Sequence, residues 1–383
     1  MGLLLQAKSA VRSGLEAVHL LGPVRTGLRG IRGLPTAMGV LRQRVQFEKA
    51  ALPAFVRAPG PRILFQRHGG IGDVICTFPA VLALRRKFPQ AIIVYRVLPE
   101  LIPIVRMGGV ADAVVPIQNW QLSPPPWLER RFDMLFQPYL EDERPSGLPQ
   151  DVHLVDSFCA KVGVLACDRQ PRLTVPRGLG QRISSQFFNA PRNDGPLIAI
   201  HTSPAWKVRE WSDEGWSELV SWLVYERRAR VIQLGHDVHR KNGPVEVTRI
   251  EGAVDCVGRF SLEETAACLQ LCDLVVGVDS GLLHMAGAVG TPCVGLFGAI
   301  NPALRLPTET PSIGVASDVP CLGCHHRLPV AHWEDGCPME IACMKSLPVA
   351  RVAEACDKLL GQRNCRVDAT RGEAFPNSPP ADA

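Results

Sequence analysis

The sequence predicts an α/β protein made of two parallel, doubly wound halves. Three observations predict it. Short apolar, β-branched runs alternate with amphipathic stretches from residue 62 to residue 360. In each half, a polar turn rich in Gly, Asp or Ser sits where a strand runs into a helix. The chain has 383 residues, 46% hydrophobic and 21% charged, which is length enough for two domains of ordinary globular composition.

In the first half, Arg62–Gln66 reads as a strand, and Arg67–Asp73 (RHGGIGD) as the loop after it. Val74–Phe88 is amphipathic and helical, with Ile75, Phe78, Val81, Leu82 and Leu84 on one side. Pro79 predicts a distorted start, and Pro89 ends the helix. Ala91–Val97, Val114–Ile117 and Asp133–Phe136 are further strands; Ser123–Trp127 is a proline-rich loop. Asp151–Gly163 is helical, Arg172–Val175 is the last strand of this half, and Pro176–Gly195 is the link, with a short helix near Ile183–Phe188.

The second half opens on the strand Leu197–His201 and the loop Thr202–Trp211. Ser212 caps the next helix, which has Asp213 and Glu214 in its first turn and buries Trp216, Leu219, Val220 and Leu223. Arg230–Leu234 is a strand, Gly235–His239 a polar loop, and Ser261 caps the helix Leu262–Leu271. The stretch 274–302 then forms a β-α-β unit. Leu274–Val278 is a buried parallel strand, Asp279 and Ser280 suit an N-cap, Gly281–Val289 is a helix stopped by Gly290 and Pro292, and Cys293–Phe297 is the next strand. Leu347–Leu360 is a closing helix, and residues 363–383 read as a disordered tail.

The chemistry gathers at two strand ends. The helix start at Ser280–Gly281 offers unpaired N–H groups and partial positive charge, as anions require, and His284 lies one turn on. Asp73 is a carboxylate at the ligand edge of the first strand, suited to a base or to a helix cap, beside the thin backbone of Gly70 and Gly72. GGIGD is neither a dinucleotide fingerprint nor a P-loop.

Charge is uneven. Residues 1–62 hold ten Lys or Arg against two acids, a net of +8; the remainder holds 32 against 35, or −3. Residues 1–60 are read as a basic arm, either solvated or resting on an anionic membrane. No nucleic-acid motif or aromatic interleaving accompanies it. No apolar run is long enough to span a membrane, and residues 1–30 lack a clean signal peptide. Thirteen cysteines without a signal indicate a reducing compartment. Cys321, Cys324, Cys337 and Cys343 have the spacing of a structural metal site, zinc before iron, with His325, His326 and His332 as other ligands; free or paired thiols are the alternative.

Three segments together resemble glycosyltransferase family 9, the lipopolysaccharide heptosyltransferases: Arg62–Gln90, Ile198–Val224 and Val275–Pro302. The last carries Asp-Ser-Gly, a His, a Gly-x-Pro and Leu-Phe-Gly. The resemblance, which spans 62–360, implies a GT-B fold of two Rossmann-like domains facing a cleft. The acceptor domain would be 61–176 and the nucleotide-sugar domain 196–346, joined by 177–195, with 347–362 returning to the first domain. It implies inverting transfer of heptose or a related sugar from an ADP-linked donor to a lipopolysaccharide or other glycan acceptor. It also implies that transfer needs no cofactor and that the enzyme is cytoplasmic, at the inner face of a bacterial membrane. Asp73 matches the family's base, and Asp279, Ser280, Gly281 and His284 its donor signature. The family usually has Lys two places before the Trp of the middle segment; here Arg209 precedes Trp211, and Lys207 is the other candidate cation. A nucleotide-sugar epimerase of the same architecture and an inactive nucleotide-sugar-binding protein are the alternatives.

Overall fold

The computed structural model describes residues 37–55, 60–117, 124–138, 152–187, 195–202, 206–240, 243–326 and 337–372. The arm up to Thr36, His332 and the terminal prolines fall outside them. The chain divides into two units, 1–46 and 47–383. The described part of the first is the opening of helix α1 (Ala37–Phe55). Residues 1–60 therefore contain a helix, and its second half belongs to the larger unit.

The first lobe of that unit has four parallel strands in the order β3-β2-β1-β4: β1 (Arg62–Arg67), β2 (Ile92–Val97), β3 (Ala113–Pro116) and β4 (Met134–Phe136). Helices α2 (Ile71–Cys76), α3 (Phe78–Lys87), α4 (Ile102–Gly108) and α5 (Pro126–Glu129) connect them. Alternation splits the strand side chains between two faces. Leu64, Ile92 and Val94 pack under Phe47, Ala51 and Phe55 of α1; Ile63, Phe65, Ile93 and Tyr95 join the opposite core. The helix predicted over Val74–Phe88 is two helices, broken at Thr77, because Pro79 cannot supply an N–H deep in a helix but fits its first turn.

Helix α6 (Leu154–Lys161) closes the first lobe. The strand expected over Arg172–Val175 does not form. This segment bonds helix ends instead: Leu173 N–H donates to Ala288 O (2.9 Å) and Thr174 N–H to Met107 O (2.8 Å), satisfying carbonyls left over in last helical turns. Helix α7 (Leu179–Phe187) leads into the second lobe.

The second lobe has six parallel strands: β5 (Leu197–His201), β6 (Arg230–Leu234), β9 (Val254–Asp255), β10 (Leu274–Val278), β11 (Cys293–Leu296) and β12 (Ser312–Val315), in the order β12-β11-β10-β5-β6-β9. The polar loop after β6 holds an antiparallel hairpin, β7 (Val238–Arg240) and β8 (Gly243–Val245), that the sequence reading misses. Strands β9 and β12 are likewise unforeseen, being short edge strands with little apolar run. Helices α8 (Asp213–Arg227), α9 (Leu262–Leu271) and α10 (Gly281–Ala288) complete the crossovers. Ser212 accepts from Gly215 N–H, and Ser261 forms a capping box with Glu264, as their positions predict.

In this order the chain runs outward from β5 to β6 and β9, then returns to place β10 on the other side of β5. The two connections leave in opposite directions, so a crevice opens beyond the carboxyl ends of β5 and β10. The first lobe has the same crevice between β1 and β4. A continuous apolar core joins the lobes; it includes Val74, Ile104, Leu269, Leu283 and Met285.

A second core fills the far face of the six-stranded sheet. It holds Trp211, Trp216, Leu219, Val220 and Leu223, and also Cys343 and Met344 of α11 (Ala342–Lys345) and Val352, Cys356 and Leu359 of α12 (Val349–Gly372). The described side chains of the closing helix thus pack on the second lobe rather than returning to the first. Its helix runs to Gly372, so residues 363–372, expected to belong to a disordered tail, are helical. Trp216 is fully buried here and contacts Trp211 edge-on at 5.1 Å. Trp216→Ala is expected to cost about 3–5 kcal/mol in urea unfolding, and Ser261→Ala about 1 kcal/mol through the lost cap.

Candidate functional site

Strand β1 delivers Arg67 to the end of the first sheet, and α2 begins four residues later with Gly70 as its N-cap. Asp73 is therefore the third residue of a helix, not part of a loop. Its Oδ2 accepts from Gly70 N–H (3.0 Å), a capping bond, and lies 3.4 Å from an Arg67 guanidinium nitrogen. Arg67 is 3% exposed, with its guanidinium 5.3 Å over the Phe158 ring; the Asp73 carboxylate keeps 22% exposure. Gly70 and Arg67 both engage the same oxygen of a partly exposed carboxylate, so the residue serves as cap and still keeps access to solvent. Arg67 is the residue that sequence reasoning passes over; a cation directly after a buried strand was its signal.

In the other lobe, β10 is buried along its whole length and is followed directly by Asp279, itself 4% exposed. Ser280 takes the N-cap position of α10 with extended backbone, but its side chain makes no capping bond. That corrects the expectation that Ser280 caps by side chain. Its Oγ is buried without a hydrogen-bond partner in the protein, as are Asp279 Oδ2 and Arg209 Nε. Arg209 reaches over from the 3-10 turn Lys207–Arg209 after β5. It donates to Asp279 O (2.9 Å), and its Nε lies 3.4 Å from Asp279 Oδ2. Lys207, the other candidate cation, starts the same turn and is exposed.

Buried polar atoms are normally paired. Ser280 Oγ, without a partner, and the buried Arg209–Asp279 ion pair, whose facing atoms make no hydrogen bond, lie together at the start of a helix and in the crevice between β5 and β10, a place for a polar, anionic ligand. Arg67, Arg209 and the buried Arg305 outnumber the carboxylates of Asp73 and Asp279 around it. Burial pulls Arg209 down from its ordinary value, and Asp279 opposes that pull.

The two helix starts touch. A Cβ on Gly72 would lie 2.5 Å from Cδ2 of His284, and one on Gly281 would lie 2.7 Å from Cβ of Ile71. Gly72, which the sequence reading placed in the turn for a thin backbone, thus gives room to a residue of the other lobe. His284 Nδ1 meets Cys76 Sγ at 3.4 Å. Burial, more than any charge nearby, holds the His284 imidazole neutral, down to about 4. The fold accordingly brings Asp73, Gly70 and Gly72 against Gly281 and His284, with Arg209, Asp279 and Ser280 alongside.

The four cysteines gather at the end of the second sheet. Burial and the thiols of Cys321, Cys324 and Cys337 push Cys343 up to about 11. Cys343 turns into the core against Gly298, while the other three are half-exposed. Among the described residues no group of three or more His, Cys, Asp or Glu side chains is placed to hold a metal ion. The zinc site read from the spacing is therefore not supported: the thiols are neighbours, but one of them is committed to core packing.

Residues 151–332 match glycosyltransferase family 9 (heptosyltransferase). The chain is 31% identical over 286 residues to lipopolysaccharide heptosyltransferase 1 of Salmonella typhimurium, covering 63% of this chain and 90% of that protein. It is 27% identical over 128 residues to lipopolysaccharide heptosyltransferase 1 of Pseudomonas aeruginosa, covering 33% of this chain and 36% of that protein. The chain thus spans well under two thirds of some relatives it matches. Among solved structures, it resembles the dodecameric iron-containing heptosyltransferase TibC of enterotoxigenic E. coli, in complex with ADP-D-beta-D-heptose. The TM-score is 0.60 at 21% identity, over 79% of this chain and 76% of that one. This likeness shows the fold, two Rossmann-like lobes in the GT-B arrangement.

His284 and His201, each held near 4 by burial, must regain protons on unfolding. Both have an ordinary value near 6.5 when exposed, so the unfolded chain binds more protons below it. Stability is expected to be full above about pH 6.5 and to fall as pH drops toward about 4. Urea titrations at pH 7.5 and pH 5 would measure this, and His284→Gln should flatten the difference.

Proposed function

The chain belongs to glycosyltransferase family 9, and on that premise we propose that it is an inverting transferase of heptose or a related sugar. The donor is ADP-linked, as in the TibC complex, and the acceptor is a lipopolysaccharide or related glycan, as the names of the relatives indicate. One observation carries the reading: the partnerless Ser280 Oγ and the buried Arg209–Asp279 ion pair lie at a helix start, in a lobe packed against the one that bears Asp73.

In this reading residues 196–346 hold the donor and 61–176 the acceptor. The acceptor hydroxyl attacks the anomeric carbon as the bond to the diphosphate breaks. Asp73 takes the hydroxyl proton, using the carboxylate oxygen that Gly70 and Arg67 leave aside. Negative charge builds on the departing diphosphate. Arg209 and the amides at Ser280–Gly281 face it, already oriented, so little rearrangement is needed at the moment of reaction. ADP leaves, and the sugar is joined to the acceptor oxygen with inverted configuration. Neutral His284, beside both helix starts, orients the sugar by hydrogen bonding rather than charge. These groups supply the charge stabilisation themselves, so the reading calls for no cofactor in the transfer.

The basic arm supports placement on an anionic bilayer, at the cytoplasmic face of the bacterial inner membrane, where such an acceptor would be presented. Among the described residues no helix is long and apolar enough to cross a membrane.

Asp73→Asn is expected to lower kcat by about 10²–10⁴-fold while the Kd for ADP stays within about twofold; an equal loss of ADP binding would assign Asp73 a structural role. A thermal-shift screen of nucleotide diphosphates and nucleotide sugars should give its largest rise with ADP-linked compounds. No response to any nucleotide would overturn the donor assignment, and release of free or epimerised sugar without acceptor would overturn the transferase.

A further inference from the structure

The clamp that holds Arg209 has a second layer. The guanidinium carbon of Arg209 sits 4.0 Å from the centroid of the Trp206 ring. Their contact is built into the backbone, because Arg209 N–H donates to Trp206 O (3.0 Å) and folds the turn back on itself. A guanidinium over an indole face is a favourable pairing, strongest where water is excluded. Arg209 is 20% exposed, so its side chain is largely withdrawn from water.

The same indole meets His325, with ring centroids 6.0 Å apart and planes inclined at 38°. His325 belongs to the cysteine-bearing loop, directly after Cys324. Main-chain bonds fix that loop to the turn following β11: Gly323 N–H donates to Gly298 O and His325 N–H to Ala299 O, both at 2.9 Å. Gly298 in turn lies so close to Cys343 that a Cβ there would come within 2.6 Å of its sulfur. A continuous set of contacts therefore runs from Cys343 and the loop, through His325 and Trp206, to Arg209 and Asp279.

Resting on the donor reading above, we propose that Trp206 is a positioning residue for Arg209, and that the cysteine-bearing loop supports it through His325. Trp206 need not touch the donor. It restricts the guanidinium to the side of Asp279, so that less freedom is lost when a diphosphate binds. The cysteine-bearing loop after β12 thereby contributes to donor affinity without supplying a ligand to the nucleotide. An aromatic ring of smaller face keeps most of the effect, and an aliphatic side chain does not.

The test uses the full chain, with ADP binding by calorimetry and steady-state kinetics for the ADP-linked sugar. Trp206→Ala should raise the ADP Kd and the donor KM about five- to tenfold, with kcat within about twofold. Trp206→Phe should return both to within about twofold of the parent, and His325→Ala should raise them by a smaller factor. In an Arg209→Met background, Trp206→Ala should add nothing, since its effect passes through the guanidinium. If the alanine variant loses its cooperative melt, Trp206→Leu replaces it with the same expectation. Unchanged ADP affinity in a folded Trp206 variant, or an effect that adds fully to Arg209→Met, overturns the proposal and leaves the donor reading standing. Failure of the parent protein to bind ADP or any ADP-linked sugar overturns the donor reading, and this inference with it.

Discussion

Helices α2 and α10 meet start to start, and the site depends on that contact. Each brings unpaired N–H groups and partial positive charge to the same place, which favours an anion between or beside them. Two glycines allow the approach. Gly72 leaves room for the His284 ring, and Gly281 leaves room for Ile71. A methyl group at either position would need backbone or a packed ring to move, and dense interiors accommodate such insertions poorly. The shared apolar core around Val74, Leu283 and Met285 holds the helices where the glycines let them come.

This contact also joins two different environments. Asp73 keeps 22% exposure at the edge of its sheet. Arg209, Asp279 and Ser280 are withdrawn from water at the end of β10. Placing both on one strand end would put the two carboxylates of Asp73 and Asp279 together, and like charges raise each other's proton affinity. With the carboxylates on different sheets, each has its own arginine: Arg67 for Asp73 and Arg209 for Asp279.

The end of the chain reinforces the second lobe. Helix α12 covers the far face of the six-stranded sheet, and Trp211 Nε1 donates to Leu347 O (3.1 Å), tying the segment after the Arg209 turn to the start of that helix. Cys343 shares a core with both. The role of the cysteines in the fold is legible as packing and docking, with Cys343 against Gly298 and the loop bonded to Gly298 and Ala299.

Local patterns decided much of this protein before any tertiary contact was known. Strands β5, β6 and β10, the capped starts of α8 and α9, and the buried face of Trp216, Leu219, Val220 and Leu223 follow from periodicity and capping, which act within a few residues. Asp73, Asp279, Ser280, Gly281 and His284 stood out because they cluster at strand ends. Only the tertiary structure shows that Arg209, of two cations in one short turn, folds back to Asp279 while Lys207 is exposed. It alone freed Ser280 from capping, turned Arg172–Val175 from a strand into a tie between helix ends, and set Cys343 into the core. Each of these outcomes depends on a partner tens or hundreds of residues away, and spacing along the chain carries no information about which partner arrives.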